Sequence, residues 1–493
     1  MPRVLKRCLP RQSAALVLSF LLLVSGPAVR AAQHSATPIP AATPAASAPS
    51  PGAAGIGDPY FPLLGNGGYD AIHYTLELDL DIDAVATQDL SAFNLDYRGP
   101  EIDTITVDGV AAEWSRDGGE LTVTPAEPIR DGTPFRTVVD YHGVPDADEE
   151  DRFARGWWAN EHSIFAVGEP AGSDVWYPVN GHPLDKATYT IAITVPEPYD
   201  VAANGLLASV AMTDGVAGNP ATATYTWENQ EPTASYLVIF NAADLDIATE
   251  SGPGDITVIE AFPPALPRNE ERLFDRVPEM VEVFAGLFGP YPFASIGNTV
   301  LEDTDFNAAL ETQGMIGYDA SAVSERTVAH EVAHHWFGNS VSPARWQDIW
   351  LNEGFARYAE TLWFEAAHGP DAAEASLRRQ MASLATVTRS PMGEGVLIGD
   401  PGPERLFSEV VYAGGALLLH ELRQQMGDDA FFRLLREWAT RYEHGNATTE
   451  EFIALAEEIA GDDLTVFFDD WLYTPWTPER VADRFPLAAT PMP

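Results

Sequence analysis

The chain has 493 residues, 45% hydrophobic and 20% charged, a globular balance with length for two or three domains. Its 73 acidic against 28 basic residues give a formal net charge of −45, which excludes nucleic acid and anionic membrane surfaces as partners. The only cysteine is Cys8, which excludes a disulfide framework.

In chain order, Arg3, Lys6, Arg7 and Arg11 precede the apolar run Ala14 to Val24, and Ala28-Val29-Arg30-Ala31 offers small residues for cleavage. Residues 1–31 therefore read as a secretory signal peptide. The apolar run is short for a membrane span, and an uncleaved anchor is the alternative. Cys8 lies on the wrong side of that run for lipid attachment. An exported chain without disulfides suits a secreted or extracytoplasmic protein of bacterial type. Residues 32–57 are mainly Ala, Pro, Ser, Thr and Gly, which predicts a disordered linker. Lys6 and Lys186 are the only lysines. Salt adaptation and compositional bias both account for such an acidic, lysine-poor chain.

Residues 58–250 read as an N-terminal antiparallel β domain. Tyr74 to Asp83 alternates apolar and mainly acidic residues with period two. Its carboxylates raise the question of calcium, but they fan along a strand with no glycine turn, so a solvated sheet face is the better reading. Short strands follow at Thr104–Val107, Leu121–Val123, Thr188–Val195 and Tyr236–Phe240. Near residue 255 the period changes. Leu273, Phe274, Val277, Met280, Val281, Phe284, Leu287 and Phe288 recur at helical spacing, with Pro278 inside as a kink. Asn298 to Leu301 is strand-like. Helices are predicted at Ala413–Met426, Asp429–Tyr442, Glu450–Ala460 and Thr465–Leu472. Asn446-Ala447-Thr448 matches a glycosylation sequon, but Thr448 with Glu451 fits a helix capping box better. The fold class is α+β and multidomain, with a mainly helical catalytic domain over 251–480.

Within that second domain stands His330-Glu331-Val332-Ala333-His334, followed after 18 intervening residues by Glu353. Positions i and i+4 share one helix face, so both imidazoles reach one metal. Glu353, from a second helix, is the third ligand. Two His and one Glu leave a fourth position open, the catalytic arrangement for zinc. Glu331 is placed to polarise a metal-bound water. His335 is rotated about 100° from His334, so it is read as a packing residue behind the site.

Trp336-Phe337-Gly338-Asn339 follows the second histidine, and Asn352-Glu353-Gly354-Phe355-Ala356 surrounds the third ligand. With these segments the chain resembles the gluzincin aminopeptidase family, relatives of aminopeptidase N and leukotriene hydrolase, from about Asp58 to about Trp476. The resemblance implies a thermolysin-like catalytic domain, one Zn2+ per chain and Glu331 as general base. Tyr412-Ala413-Gly414-Gly415 matches the family's Tyr-x-x-Gly segment, implying that Tyr412 stabilises the oxyanion; the family often has Lys where Gly414 stands. Ala308-Ala309-Leu310-Glu311-Thr312 stands where the family reads Gly-Ala-Met-Glu-Asn, implying that Glu311 binds the substrate ammonium, with altered neighbours. Gly168-Glu169-Pro170 occupies the region of a second acidic contact, and Glu169 is assigned an amine-binding role. Only 17 residues follow Trp476, so the expectation is a short form without the family's helical C-terminal domain. The functional expectation is a secreted zinc aminopeptidase acting on peptides with a free N-terminus. The alternatives are an endopeptidase or broader hydrolase on the same site, and a non-catalytic peptide-binding module.

Overall fold

Alternation builds the N-terminal part. In strands Tyr69–Leu76 and Leu80–Ala86 the even spacing of Tyr74, Leu76, Leu80, Ile82, Ala84 and Ala86 buries one face, and the other meets water. Tyr74 sits opposite Ile82 and Leu76 opposite Leu80. The structure, a computed structural model, describes residues 48–77, 80–145, 155–215, 220–302 and 306–486. The signal-peptide reading of 1–31 and the first part of the linker lie outside the described residues, as do Leu78 and Asp79.

The main sheet has eight strands in the order 206–213, 222–234, 186–196, 69–76, 80–86, 134–142, 101–107 and 110–111. Asp81 pairs with Arg136 on the neighbouring strand at 3.0 Å, so the acidic face is solvated and cross-linked. Among the described residues the groups able to hold a metal lie elsewhere. The pairing is not wholly antiparallel as expected. Lys186–Pro196 runs parallel to Tyr69–Leu76, because the strands between them in sequence act as one long crossover. A second difference concerns the linker. Ser50–Pro51 runs beside Leu90–Asp96, with Ser50 N donating to Asp89 O at 3.0 Å and Gly52 N to Ala92 O at 2.8 Å. Backbone pairing needs no large apolar side chains, so composition alone predicted disorder where a strand edge provides order.

A five-stranded sheet opens the second part, in the order 246–251, 257–262, 295–301, 316–319 and 309–310. Ten helices follow among the described residues: α1 Arg268–Phe274, α2 Val277–Phe288, α3 Glu325–His334, α4 Trp350–His368, α5 Pro370–Val387, α6 Gly415–Met426, α7 Asp428–Arg441, α8 Thr449–Ala460, α9 Thr465–Tyr473 and α10 Pro478–Arg484. Pro278 does not kink one long helix. It sits in the first turn of α2, where its missing N–H leaves nothing unpaired. The expected strand Tyr236–Phe240 is instead a 3-10 turn, Ser235–Leu237, leading into strand Phe240–Ala243. Tyr236 is held there by donating its hydroxyl to Gly338 O at 3.1 Å. Thr448 and Glu451 form the capping box of α8.

Two apolar cores result. One lies within the N-terminal sheets, around Tyr74, Tyr177, Tyr189 and Trp227; the other holds the helices around Trp336, Trp350, Trp438 and Trp471. The architecture is a β-rich part followed by a helical part. Lys186, half-buried at the start of its strand, links them. Its ammonium donates to the carbonyls of Asn339 and Ser340 at 3.0 Å and of Gly445 at 2.9 Å, matching three protons to three acceptors.

Candidate active site

Helix α3 begins at Ser324, whose hydroxyl accepts from Thr327 N at 3.1 Å. Val328, Ala329, Val332 and Ala333 bury one side of the helix in the core, which turns His330, Glu331 and His334 toward the cleft. The chain leaves α3 through Gly338, whose φ is 124°. A Cβ there would lie 3.2 Å from His334 Nδ1, so glycine is needed both for the backbone and for the ligand. Gly354, next to Glu353, faces Gly415 at the start of α6. A Cβ on Gly354 would sit 3.0 Å from Gly415 Cα. This contact draws α4, with Glu353, against the π-helical turn Val410–Gly414 that carries Tyr412.

The three expected ligands converge. His330 Nε2 lies 3.3 Å and His334 Nε2 3.5 Å from Glu353 Oε2. Ligand atoms about 2.0–2.1 Å from a tetrahedral metal are themselves ~3.3 Å apart, so these separations fit one divalent ion. The other ring nitrogens are engaged elsewhere: His330 Nδ1 with Glu360 Oε1 at 3.0 Å, and His334 Nδ1 with Phe337 O at 3.0 Å. Each imidazole thus carries its proton on Nδ1 and offers the Nε2 lone pair to the metal.

Around this triad the buried groups are mostly acidic. Burial pushes the Glu331 carboxyl up to about 7, while His330 and His334 pull it down. Burial, then the charge of Glu311, raises Glu169 well above the usual range; burial also raises Glu311. Glu169 Oε1 and Glu311 Oε1 are buried without a hydrogen-bond partner. Carboxylate oxygens of Glu169, Glu311 and Glu353 lie within 4.8 Å of one another. Glu311 follows the edge strand Ala309–Leu310, and Asn339 Nδ2 donates to its carbonyl at 2.7 Å. The Tyr412 ring lies near-parallel to that of His330, centroids 6.0 Å apart, and Arg357 sits 5.1 Å from the Tyr412 ring centre. All seven expected residues therefore line one cavity of about 260 Å³.

His335 lies outside this cavity, as its helical phase predicted. Its Nε2 accepts from Gly314 N at 3.2 Å, and Nδ1 donates to Glu331 O at 3.3 Å. Burial lowers it to about 3, so it stays neutral.

Sequence reading missed the outer partners. Glu360 supports His330 and lies 3.5 Å from Arg357 and 3.9 Å from Arg326. A signal was present: Glu360 follows Glu353 by seven residues, two turns on the same helix face. The aromatic wall of Trp158, Phe306 and Phe407 comes from three distant segments and gave no local pattern. Glu360→Ala is expected to weaken metal retention by roughly 10- to 100-fold. Competition with a chromophoric chelator measures this, and unchanged affinity would show that Glu360 does not orient His330.

A β-rich part joined to a helical part bearing a His, His, Glu centre with a buried Glu beside it defines the gluzincin class of fold and site. Residues 274–471 match the Peptidase family M1 domain. An M1 zinc metallopeptidase from Deinococcus radiodurans, as a mutant bound to a Tyr-Ser-Ala substrate, is 28% identical. The match has a TM-score of 0.75 and covers 85% of this chain and 97% of that one. Human endoplasmic reticulum aminopeptidase 1 is 24% identical over 67% of this chain and 37% of its own length. Aminopeptidase N of Lactococcus lactis is 28% identical over 52% and 33%. The chain spans about a third to a half of the length of the curated relatives it matches.

Proposed function

We propose that this chain is a zinc-dependent aminopeptidase that removes N-terminal residues from peptides. The observation that carries the reading is the pair of buried, unpartnered carboxylate oxygens of Glu169 and Glu311 next to the His330, His334, Glu353 triad. Buried anionic groups are costly unless a cation meets them. A peptide's α-ammonium is such a cation, and the carbonyl of its first residue then falls at the triad.

His330, His334 and Glu353 would hold the zinc, which supplies Lewis acidity and an acidified water when bound. Glu331 takes the water's proton and returns it to the leaving amine. Tyr412 donates a hydrogen bond to the carbonyl oxygen as charge develops there. Burial raises its phenol well above the ordinary value, which keeps it a donor. Glu169 and Glu311 fix the amino end, so only the first peptide bond reaches the base. The Deinococcus relative, a mutant bound to a Tyr-Ser-Ala substrate, supports this reading. The leader composition of residues 1–31 adds that the enzyme works outside the cytoplasm.

The test is metal analysis with an aminoacyl anilide assay. About one zinc per chain is expected, with activity lost to a chelator and restored by zinc. Full activity after demonstrated metal removal would overturn the proposal.

A further inference from the structure

Beyond the zinc-type centre, Arg326 borders two cavities. One is the active-site cleft, and the other is an open groove of about 520 Å³ between α3, α4 and α5. The groove's walls include Phe364 and His368 of α4 and Ala372, Ala375 and Arg379 of α5. Arg379 lies 5.5 Å from the Phe364 ring centre, and among the described residues no carboxylate pairs with it. Among the described residues Arg326 pairs only with Glu360, at 3.9 Å. Glu325, beside Ser324 and Arg326 on α3, is engaged by Arg276 at 2.5 Å, His368 at 2.8 Å and Trp363 at 3.0 Å, and Glu374, beside Ala375 on α5, by Arg378 at 2.6 Å. In a chain of net charge −45, the described residues that line this open groove include two arginines and no carboxylate.

The position of the groove follows from contacts along α3. Glu311 Oε1 lies 3.8 Å from His334 Nδ1, Glu360 Oε1 lies 3.0 Å from His330 Nδ1, and Arg326 comes one turn before His330. A peptide with its amino group at Glu311 and its first carbonyl at the triad must carry its later residues away from Glu311, toward the start of α3. From His330 to Arg326 is about 6 Å along the helix. Extended peptide advances about 3.3 Å per residue, so roughly two residues beyond the cleaved bond reach Arg326.

We infer that this groove is a downstream subsite in which Arg326 and Arg379 bind a carboxylate of the substrate peptide. The inference rests on the aminopeptidase reading above and names its preferred substrates: short peptides with a free C-terminus, or longer ones with an acidic residue a few positions beyond the cleavage point. Guanidinium groups pair with carboxylates by charge-assisted hydrogen bonds, and the half-exposed setting keeps the gain moderate.

The experiment compares free-acid and C-terminally amidated peptides of one sequence, from tripeptide to heptapeptide, with glutamate or glutamine at the later positions. The expected kcat/KM ratio of acid to amide is roughly three- to tenfold for the short peptides. It should fade with length in the glutamine series, persist as a glutamate-over-glutamine ratio in long amidated peptides, and shrink with added salt. Arg326→Gln and Arg379→Gln should bring these ratios toward one, while Arg379→Lys keeps part of them. Equilibrium binding of the same peptides to the Glu331→Gln protein gives the ratios independently of turnover. Melting curves identify a variant that does not fold, in which case the wild-type ratios decide. Ratios near one in the wild type, or ratios that survive both glutamine substitutions, would overturn the subsite. Binding ratios as expected without any cleavage would count against the aminopeptidase reading alone.

Discussion

Glu331→Gln is expected to keep the metal and to lose about a thousandfold or more in kcat. The amide matches the carboxylate in shape, and the ligands His330, His334 and Glu353 are untouched, so elemental analysis should still find the ion. What disappears is the only group beside the triad on α3 that can accept a proton. General base catalysis typically contributes 10²–10⁴-fold, and in the proposed function the same carboxyl also serves the leaving amine, which places the loss toward the upper end. Because glutamine cannot transfer the proton in either direction, the defect should appear in kcat with KM little changed. Wild-type turnover with the metal in place would mean that another group is the base. Loss of the metal itself would mean that Glu331 is needed for the centre's structure.

The second large effect concerns the amino end of the substrate. Acetylating the substrate's N-terminus is expected to lower kcat/KM by about 2–5 kcal/mol of lost interaction, roughly 30-fold to several thousandfold. The acetyl group removes the cation that Glu169 and Glu311 would meet and leaves two buried carboxylates, each with an unpartnered oxygen, against an amide. Glu311→Gln should produce a comparable loss on free peptides and little further loss on acetylated ones. A double-mutant-style comparison of the four rates isolates the pairing. Glu311 also lies 3.8 Å from His334 Nδ1, so zinc content must be measured in the variant to separate loss of substrate from loss of metal. Equal rates on free and acetylated peptides would favour an endopeptidase on the same centre.

Much of the centre was legible in the chain itself. His330, Glu331 and His334 share a helical period that only an α3 built on Val328, Ala329, Val332 and Ala333 presents as one face. The capping box at Thr448 and Glu451 is likewise a local interaction, with both partners within one turn. Strands with strict alternation, such as Leu80–Ala86, declared their buried face because side-chain direction has period two. Such features depend on neighbours a few residues apart, and a sequence carries them in plain order.

Other features needed the folded molecule. The parallel pairing of 186–196 with 69–76 and the order of 48–57 come from backbone hydrogen bonds, which no side-chain pattern records. Glu169 and Glu311 were placed by resemblance to relatives. That each has a buried oxygen without a hydrogen-bond partner among the described residues, in one cluster with Glu353, became visible only when the two segments met across the cleft. Arg326 and Arg379 lie more than 50 residues apart, on α3 and α5, and look like ordinary surface charges in the chain. Sequence picked out the cluster His330, Glu331, His334 and Glu353, because metal chemistry restricts residue types and helix geometry restricts their spacing. Tertiary structure alone decided that Arg326 and Arg379 border one groove and how the site's distant charges are buried together, because burial and separation, rather than order along the chain, set how strongly charges act on one another.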